Sequence, residues 1–213
     1  MKLHGYHRSS TSYRLRIALG LKGLAFESAS VNLLAGVQRE ESFRNRNPIG
    51  GVPMLQADGR DRAHSMAILE WLDVAHPANP LLPTDIEDRF TCRELAYAIA
   101  TELHAPLNLP VLRYLKQDLA QEQEAVDTWY HHWLARTLTP LEQRLEQIGT
   151  RDYLFDAPGL FEAVLIPQLY NARRFRFDLR AMPRMRQIES ACAALDAFEK
   201  AHPGNQPDAG AKP

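Results

Sequence analysis

The fold of this chain is decided near its N-terminus, by the stretch His7-Arg8-Ser9-Ser10-Thr11-Ser12-Tyr13-Arg14-Leu15-Arg16-Ile17-Ala18-Leu19. A hydroxyl-rich run, Ser9–Ser12, precedes apolar residues at Leu15, Ala18 and Leu19, a spacing that is typical of one helix face. Serine and threonine are preferred where a helix begins. The stretch therefore predicts a helix whose first turn is capped by hydroxyl groups.

The flanks of this stretch extend the prediction on both sides. Residues 2–6 alternate weakly between polar and apolar, as a short strand does, and Lys22-Gly23 supplies a cation and a glycine at the expected helix end. Residues 26–31 alternate again, so the chain begins as β-α-β.

The hydroxyl-rich turn is a candidate anion site. The first backbone N–H groups of a helix have no partner within it, and the helix dipole adds positive potential there. Such a turn favours a carboxylate or a thiolate, to which a serine hydroxyl can donate a hydrogen bond. Arg8 and Arg14 add positive charge nearby. From this stretch alone, the alternative that Ser9–Ser12 only cap the helix stays open, because caps are far commoner than active sites.

Composition narrows the class of protein. The 213 residues suffice for one large domain or two small ones, and the net charge of −1 lacks the basic excess of a nucleic-acid-binding protein. No apolar run approaches the roughly 18 residues of a membrane span, and the N-terminus lacks an apolar signal core, so we expect a cytoplasmic protein that does not enter membranes. Cys92 and Cys192 are far apart, which predicts buried thiols and neither a disulfide nor a metal site.

Two further motifs follow the first β-α-β unit and a short helix expected at about 34–46. Val52-Pro53 precedes a strand, where proline is tolerated at the first residue and where cis peptide bonds occur. Asp58-Gly59 predicts a turn into a last short strand at 61–63. His64-Ser65 precedes an apolar helix, and Ser65 is predicted as its N-cap, which creates a second helix N-terminus able to hold a carboxylate.

The second half of the chain is expected to be entirely helical. A proline-rich linker at 77–84 precedes predicted helices at about 86–118, 123–148, 160–174 and 184–200. Pro106 and Pro110 predict a kink or break after His104. The fold class is thus α/β plus all-α, with a thioredoxin-like domain at 1–80, a helical domain at 86–202 and a disordered tail at 203–213.

These residues resemble the zeta class of the glutathione transferases over about residues 1–200. The class signature stands here as the run from Ser9 to Leu19. The further matching segments are Asn47-Pro48, Val52-Pro53, His64-Ser65-Met66-Ala67-Ile68 and Ile166-Pro167-Gln168-Leu169-Tyr170-Asn171-Ala172-Arg173-Arg174-Phe175. The resemblance implies the glutathione transferase fold, a homodimer, and glutathione as cofactor, bound in a cleft between the two domains.

The resemblance also assigns residues. Ser9 would hold the glutathione sulfur as thiolate, the reactive form, and Ser10 and Thr11 would complete the anion-facing turn. The remaining glutathione-binding residues implied are Val52 through its backbone, Pro53 in cis, His64, Ser65 for the γ-glutamyl carboxylate, and His104 and Asn108, one helical turn apart on the second domain. Without the resemblance, a solvated or buried structural histidine is the commoner interpretation of His104.

The zeta class is best known for maleylacetoacetate isomerases, and close relatives isomerise maleylpyruvate. Adding a thiolate to the cis C=C bond makes that bond single, lets it rotate, and then releases the thiolate, so glutathione is not consumed. The enolate formed on the way needs donors or cations nearby. The substrates are small dianions, so Arg8 and Arg174 are the candidates to hold their carboxylates, ahead of the neighbouring Arg173.

The chain departs from the family pattern at three places. Thr11 replaces a signature cysteine, which removes a second thiol and is closer to the maleylpyruvate branch. His64 stands where the family usually has glutamine, so glutathione binding would become sensitive to pH near neutrality. Gly159 and Glu162 occupy a capping box that is normally Ser/Thr-x-x-Asp, which predicts a modest loss of stability without a change of fold.

The predicted function is therefore glutathione-dependent cis-trans isomerisation of maleylacetoacetate to fumarylacetoacetate in aromatic amino-acid catabolism. The alternatives are maleylpyruvate isomerisation in the gentisate pathway, general glutathione transfer, and a non-catalytic binding module of the same fold. The intact Ser9–Ser12 turn, Val52-Pro53 and Ser65 favour an enzyme over the last of these.

Overall fold

The structure is a computed structural model, and it describes residues 1–210. The chain forms two compact units. The first comprises Met1–Leu82 together with the C-terminal segment, residues 193–210, and the second is Pro83–Cys192. The boundary at Pro83 falls within the predicted linker. The C-terminal residues, however, belong with the first unit, which differs from the predicted domain ending at residue 202.

The first unit is built on a four-stranded sheet. Its strands are β1 (Lys2–Gly5), β2 (Glu27–Ser30), β3 (Met54–Ala57) and β4 (Arg60–Ala63), in the spatial order β2-β1-β3-β4. Strands β1 and β2 are parallel, and the other two pairs are antiparallel. Parallel neighbours need a crossover, which helix α1 (Ser10–Leu21) provides.

The helices of the first unit complete the predicted order of elements. A 3₁₀ turn (Val37–Arg39) and helix α2 (Glu41–Arg44) lie between β2 and β3, and helix α3 (Ser65–Ala75) follows β4. The sequence of elements is therefore β-α-β-α-β-β-α, and the predicted thioredoxin-like architecture is confirmed.

Helix α1 is the centre of this unit. Its residues Leu15, Ile17 and Leu19 are fully buried, so the helix is covered on several sides and not only along one stripe. At its N-terminal end, a Cβ on Gly5 would lie 3.0 Å from Ser12 Oγ, which explains why glycine ends β1. At its C-terminal end, a Cβ on Gly20 would lie 3.1 Å from the Cβ of Ala197, so glycine permits close packing of the C-terminal segment.

The second unit is helical throughout. It contains α4 (Ile86–Tyr97), a π-helical segment (Ala98–Leu103), α5 (Leu109–Arg113), a second π-helical segment (Tyr114–Asp118), α6 (Gln123–Ile148), α7 (Leu160–Arg174) and α8 (Pro183–Ala193). The predicted break after His104 is confirmed, because α5 begins only at Leu109. The predicted single helix over 86–118 is otherwise wrong, since two segments adopt the wider π geometry.

The capping box of α7 is half formed. Glu162 is 1% exposed, and its two carboxylate oxygens accept the Leu154 N–H at 2.7 Å and the Gly159 N–H at 2.8 Å. Burial raises the pKa of Glu162, although these backbone hydrogen bonds oppose the shift. The longer glutamate thus joins the loop at Leu154 to the start of the helix. The predicted modest loss of stability stays a prediction.

Two expectations for the C-terminal part are wrong. The helix predicted over 184–200 is divided, because Leu195 is extended (φ −100°, ψ 131°) and a separate helix α9 (Asp196–Ala201) follows it. The predicted disordered tail contains a 3₁₀ turn (Pro203–Asn205) and a hydrogen-bonded Asp208. Residues 211–213 of that tail lie outside the described residues.

Cys92 and Cys192 are both buried thiols, as predicted. Among residues 1–210, none of the helices combines the length and the apolar character that a membrane crossing requires.

Candidate functional site

The N-terminus of α1 is capped as the sequence predicts. Ser9 has extended backbone angles (φ −70°, ψ 119°), and its Oγ accepts the Ser12 N–H at 3.2 Å. The Ser9 N–H donates to the Tyr6 carbonyl at 3.0 Å, which closes the turn between β1 and α1. Ser9 is therefore held with its hydroxyl at the positive end of the helix dipole.

A chain of hydroxyl groups joins this cap to the loop before β3. Thr11 Oγ1 lies 2.9 Å from Ser9 Oγ and donates to the Val52 carbonyl at 2.9 Å. Threonine carries one hydroxyl proton, and a carbonyl can only accept, so Ser9 is the donor toward Thr11. The Ser9 hydroxyl therefore donates to Thr11, and by rotating it can donate the same proton in a hydrogen bond to an anion at the turn.

The Val52-Pro53 peptide bond is cis, as predicted. The threonine that replaces the expected cysteine is what fastens the Val52 carbonyl to α1, because its hydroxyl donates to that carbonyl. One turn, one helix end and one loop therefore bring together five of the predicted site residues: Ser9, Ser10, Thr11, Val52 and Pro53.

Arg8 lies on the outer side of this turn. Its side chain is exposed, its Nη2 donates to the Tyr6 hydroxyl at 3.0 Å, and its guanidinium carbon is 5.8 Å from the Tyr6 ring centroid. The hydrogen bond and the ring contact orient the cation next to Ser9 while leaving it open to solvent.

The second predicted helix N-terminus is present, but its cap was predicted wrongly. Helix α3 begins at Ser65, so the cap position belongs to His64, whose side chain makes no capping hydrogen bond. His64 has φ 72° and ψ 108°, a left-handed backbone that a non-glycine residue rarely adopts. This sharp turn places Ser65 inside the helix, and the His64 side chain accepts no hydrogen bond from the first N–H groups of α3.

Arg14, which the sequence indicated only as a positive charge near the first turn, lies against the start of α3. It is 1% exposed, and its Nη1 donates to Ser65 Oγ at 3.3 Å. Within the described part of the chain, its Nε and Nη2 are buried and have no hydrogen-bond partner. Burial lowers the pKa of Arg14 to about 10, so the guanidinium stays charged at neutral pH.

A buried cation without a counter-ion is costly unless an anion completes the site. Because Arg14 already donates to Ser65 Oγ, the Ser65 hydroxyl proton is available for another acceptor. Ser65 and the α3 amides therefore form a site that suits a carboxylate. Nothing in a single sequence signals the burial of Arg14, which follows from the packing of α1.

The candidates in the helical unit have different surroundings. Asn108 caps α5, with its Oδ1 accepting the Leu109 N–H at 2.8 Å. His104 and Asn108 are not one helical turn apart as predicted, because residues 104–108 form turns and a bend around Pro106. His104 ends the π-helical segment, where its N–H donates to the Ile99 carbonyl at 2.9 Å.

The two arginines at the end of α7 are distinguished by their partners. Arg173 forms a two-bond ion pair with Glu189, which raises the pKa of Arg173. Arg174 is exposed, its Nη1 donates to Asn171 Oδ1 at 3.3 Å, and its guanidinium carbon is 6.0 Å from the Tyr170 ring centroid. Of the two, Arg174 is the one free of a carboxylate partner in the described residues.

Comparison with known proteins identifies the family of this chain. Residues 3–80 match the family model of the glutathione S-transferase N-terminal domain. A maleylacetoacetate isomerase of Pseudomonas aeruginosa is 42% identical over 212 residues, which is 98% of either chain. A solved structure described as the holo form of maleyl pyruvate isomerase, a bacterial zeta-class glutathione S-transferase, is 37% identical, with a TM-score of 0.95 over 98% of this chain and 99% of that one.

A maleylacetoacetate isomerase from Anaeromyxobacter dehalogenans is also similar. It is 42% identical, with a TM-score of 0.87 over 98% of this chain and 97% of that one, and its structure has glutathione bound in the active site. A second structure of that protein holds dicarboxyethyl glutathione and citrate in the active site.

The fold, the capped turn and these similarities define a glutathione transferase: this chain belongs to that family. Its similarity to the zeta-class isomerases extends over nearly the whole chain, so the resemblance inferred from sequence is confirmed.

Proposed function

We propose that this protein is a glutathione-dependent cis-trans isomerase that acts on maleylacetoacetate. The observation that carries the proposal is the chain of hydrogen bonds from Ser9 through Thr11 to the Val52 carbonyl. It holds the Ser9 hydroxyl at the N-terminus of α1, where that hydroxyl can donate a hydrogen bond to an anion. The similarity to maleylacetoacetate isomerases over 98% of the chain supports the choice of reaction.

The residues present fit glutathione, which carries a thiol and two carboxylates. The α1 turn offers a hydroxyl donor and the positive end of the helix dipole to a thiolate. Ser65 and the α3 amides, with the buried Arg14 guanidinium behind them, offer the donors and charge that a γ-glutamyl carboxylate requires. We place the cysteinyl backbone against Val52 next to the cis Pro53, and His64 beside the peptide.

Bound glutathione supplies a thiolate nucleophile that adds reversibly to a conjugated C=C bond and so permits its rotation. Ser9 would donate its hydroxyl proton to the sulfur in place of Thr11 and would so favour the ionised thiol, assisted by the α1 dipole. Thr11 stays bonded to the Val52 carbonyl and keeps the turn and the loop in register. Ser10 completes the turn as the first residue of α1.

The charges of the substrate are assigned to two arginines. Arg8 lies one residue before Ser9 and is open to solvent, so we propose that it binds one carboxylate and stabilises the negative charge that develops on the substrate. Arg174 is proposed for the other carboxylate, because Arg173 is already paired with Glu189. The parts of His104 and Asn108 in glutathione binding remain predictions.

Maleylpyruvate is the second candidate substrate. The similarity to a maleyl pyruvate isomerase structure at a TM-score of 0.95, together with Thr11 in place of cysteine, favours it specifically. The two substrates share the cis dicarboxylate and differ in the length of the keto-acid tail. We accordingly propose catabolism of aromatic compounds as the context, either of aromatic amino acids or through the gentisate pathway.

The deciding experiment measures the loss of absorbance of each maleyl compound with and without glutathione. We expect rapid isomerisation of at least one compound that requires glutathione and regenerates it. Binding of glutathione without turnover of either compound would instead indicate a non-catalytic module. Turnover of a chlorinated nitrobenzene alone would indicate a general transferase.

We also propose that the protein is a homodimer. Ile86 and Phe90 are 76% and 63% exposed and lie four residues apart on one face of α4. Exposed apolar residues of this size on adjacent helical turns suit a protein interface. Light scattering at micromolar concentration tests this, and a monomeric mass would contradict it.

A further inference from the structure

The C-terminal segment reaches the turn that carries Ser9. Asp208 Oδ2 accepts the His7 backbone N–H at 3.0 Å and the Ser30 hydroxyl at 3.1 Å, and it lies 3.3 Å from His7 Nδ1. These contacts join residues about 200 positions apart in the chain, and the Asp208 side chain is only 15% exposed. They contradict a disordered tail, and they meet at a residue two positions before Ser9.

His7 is held from its other side as well. Arg16 is 5% exposed, its Nη2 donates to the His7 carbonyl at 3.0 Å, and its Nε donates to the Ala201 carbonyl at 2.9 Å. The N–H of His7 is thus fixed by Asp208 and its C=O by Arg16. Asp208 belongs to the C-terminal segment and contacts the turn directly, and Arg16 connects the turn to the Ala201 carbonyl of the same segment.

We propose that Asp208 is a positioning residue for the reaction, which the C-terminal segment uses to hold the His7–Ser9 turn. The proposal rests on the proposed function, since it assigns Asp208 to the site where Ser9 meets the glutathione sulfur. Fixing the peptide of His7 fixes the path of the chain into the Ser9 cap, and with it the position of Ser9 Oγ. Glutathione and substrate need not touch Asp208.

Asp208 acts through its hydrogen bonds and not through its charge. The bonds from His7 and Ser30 lower the pKa of Asp208, against the effect of burial, so it is ionised at neutral pH. A negative charge near the turn by itself opposes the formation of a thiolate. The acceptor oxygen is the useful part of the side chain, and an asparagine amide oxygen can replace it.

The test compares Asp208→Ala and Asp208→Asn with the wild-type protein. Asp196→Asn is the matched control, because Asp196 is an exposed carboxylate of the same C-terminal segment that pairs only with Lys200 in the described structure. The first readout is hydrogen exchange at the His7 amide in the free protein. The second is the pKa of the bound glutathione thiol, read from the ultraviolet absorbance of the thiolate, alongside kcat and KM.

We expect Asp208→Ala to speed exchange at His7, raise the thiol pKa and lower kcat by roughly tenfold, the factor that corresponds to one lost hydrogen bond. Asp208→Asn should restore most of each value, and Asp196→Asn should match the wild type. Unchanged exchange and thiol pKa in Asp208→Ala, with an active wild-type protein, would overturn the assignment of Asp208. A wild-type protein that does not bind glutathione would overturn the proposed function, and with it any catalytic part for Asp208.

Discussion

Arg14→Met should have opposite effects on stability and on glutathione binding. In the free protein the substitution removes a buried guanidinium group, and two of its nitrogen atoms have no hydrogen-bond partner in the described structure. Replacing buried ionic groups by apolar ones of similar volume often stabilises a protein by about 1–4 kcal/mol. We therefore expect the free energy of unfolding to rise by about 1–4 kcal/mol.

The same substitution should weaken binding of the γ-glutamyl carboxylate. Arg14 orients Ser65 through a 3.3 Å hydrogen bond and supplies a cation behind the α3 amides. A hydrogen bond to a charged group contributes about 1.5–3 kcal/mol, which corresponds to a roughly 10- to 150-fold weaker affinity for glutathione. Arg14→Lys keeps the charge without the planar fork and should fall between the two proteins.

Two ligands make the assay specific. Calorimetry with glutathione and with the dipeptide cysteinylglycine, which lacks the γ-glutamyl group, separates the carboxylate site from the rest of the peptide. Arg14→Met should weaken glutathione and leave the dipeptide unchanged, and Arg60→Met, at an exposed arginine of β4, should change neither. Equal glutathione affinity in Arg14→Met and the wild type would refute the carboxylate site, and equal weakening of both ligands would indicate a general structural defect.

The gain in stability should also depend on pH. The pKa of Arg14 is lowered to about 10 in the folded protein, below its usual value, so burial penalises the charged form. The penalty is fully present at neutral pH and fades as pH rises through about 10, because the folded protein then releases the proton first. Thermal unfolding of Arg14→Met should therefore show a larger gain at neutral pH than above pH 10.

Three further predictions concern the catalytic turn and the helical unit. Arg8→Ala and Arg174→Ala should each lower kcat/KM roughly 10- to 100-fold for dianionic maleyl substrates, and much less for a neutral chlorinated nitrobenzene; equal losses would assign these arginines to folding or glutathione binding. Ser9→Ala should lower turnover of both substrate types and raise the thiol pKa, because it acts on the shared nucleophile; an unchanged thiol pKa would contradict this. Glu162→Ala should cost about 2–4 kcal/mol in chemical unfolding, since it leaves two buried N–H groups unpaired, and a loss below 0.5 kcal/mol would show that the start of α7 relaxes.

Local sequence determined the elements around the active turn. Single-sequence patterns predict the elements that depend on contacts between residues close in the chain. These are helix α1, its Ser9 cap, the short strands on both sides and the break after His104. The cis Val52-Pro53 peptide bond was implied by the family resemblance and not by the motif alone, because few X-Pro bonds in folded proteins are cis. Together with the signature residues, these elements were enough to suggest the family.

The errors lie where distant parts of the chain decide the local geometry. Ser65 has the composition of a cap, but His64 takes the cap position by a strained backbone that the surrounding structure maintains. The residues after 202 have the composition of a loose tail, yet Asp208 finds three donors on His7 and Ser30. Composition describes what a segment can do alone and not which partners the fold brings to it.

The sequence by itself therefore determined the class of fold, the family and the turn that would hold a thiolate. Only the tertiary structure decided that Arg14 is buried against Ser65 with two of its nitrogen atoms unpaired among residues 1–210, and that Asp208 accepts the N–H of His7 in the turn before Ser9. The physical reason is that helix caps and strand patterns are local and recur in many proteins. The burial of a charge and the pairing of residues about 200 positions apart exist only once the whole unit has packed.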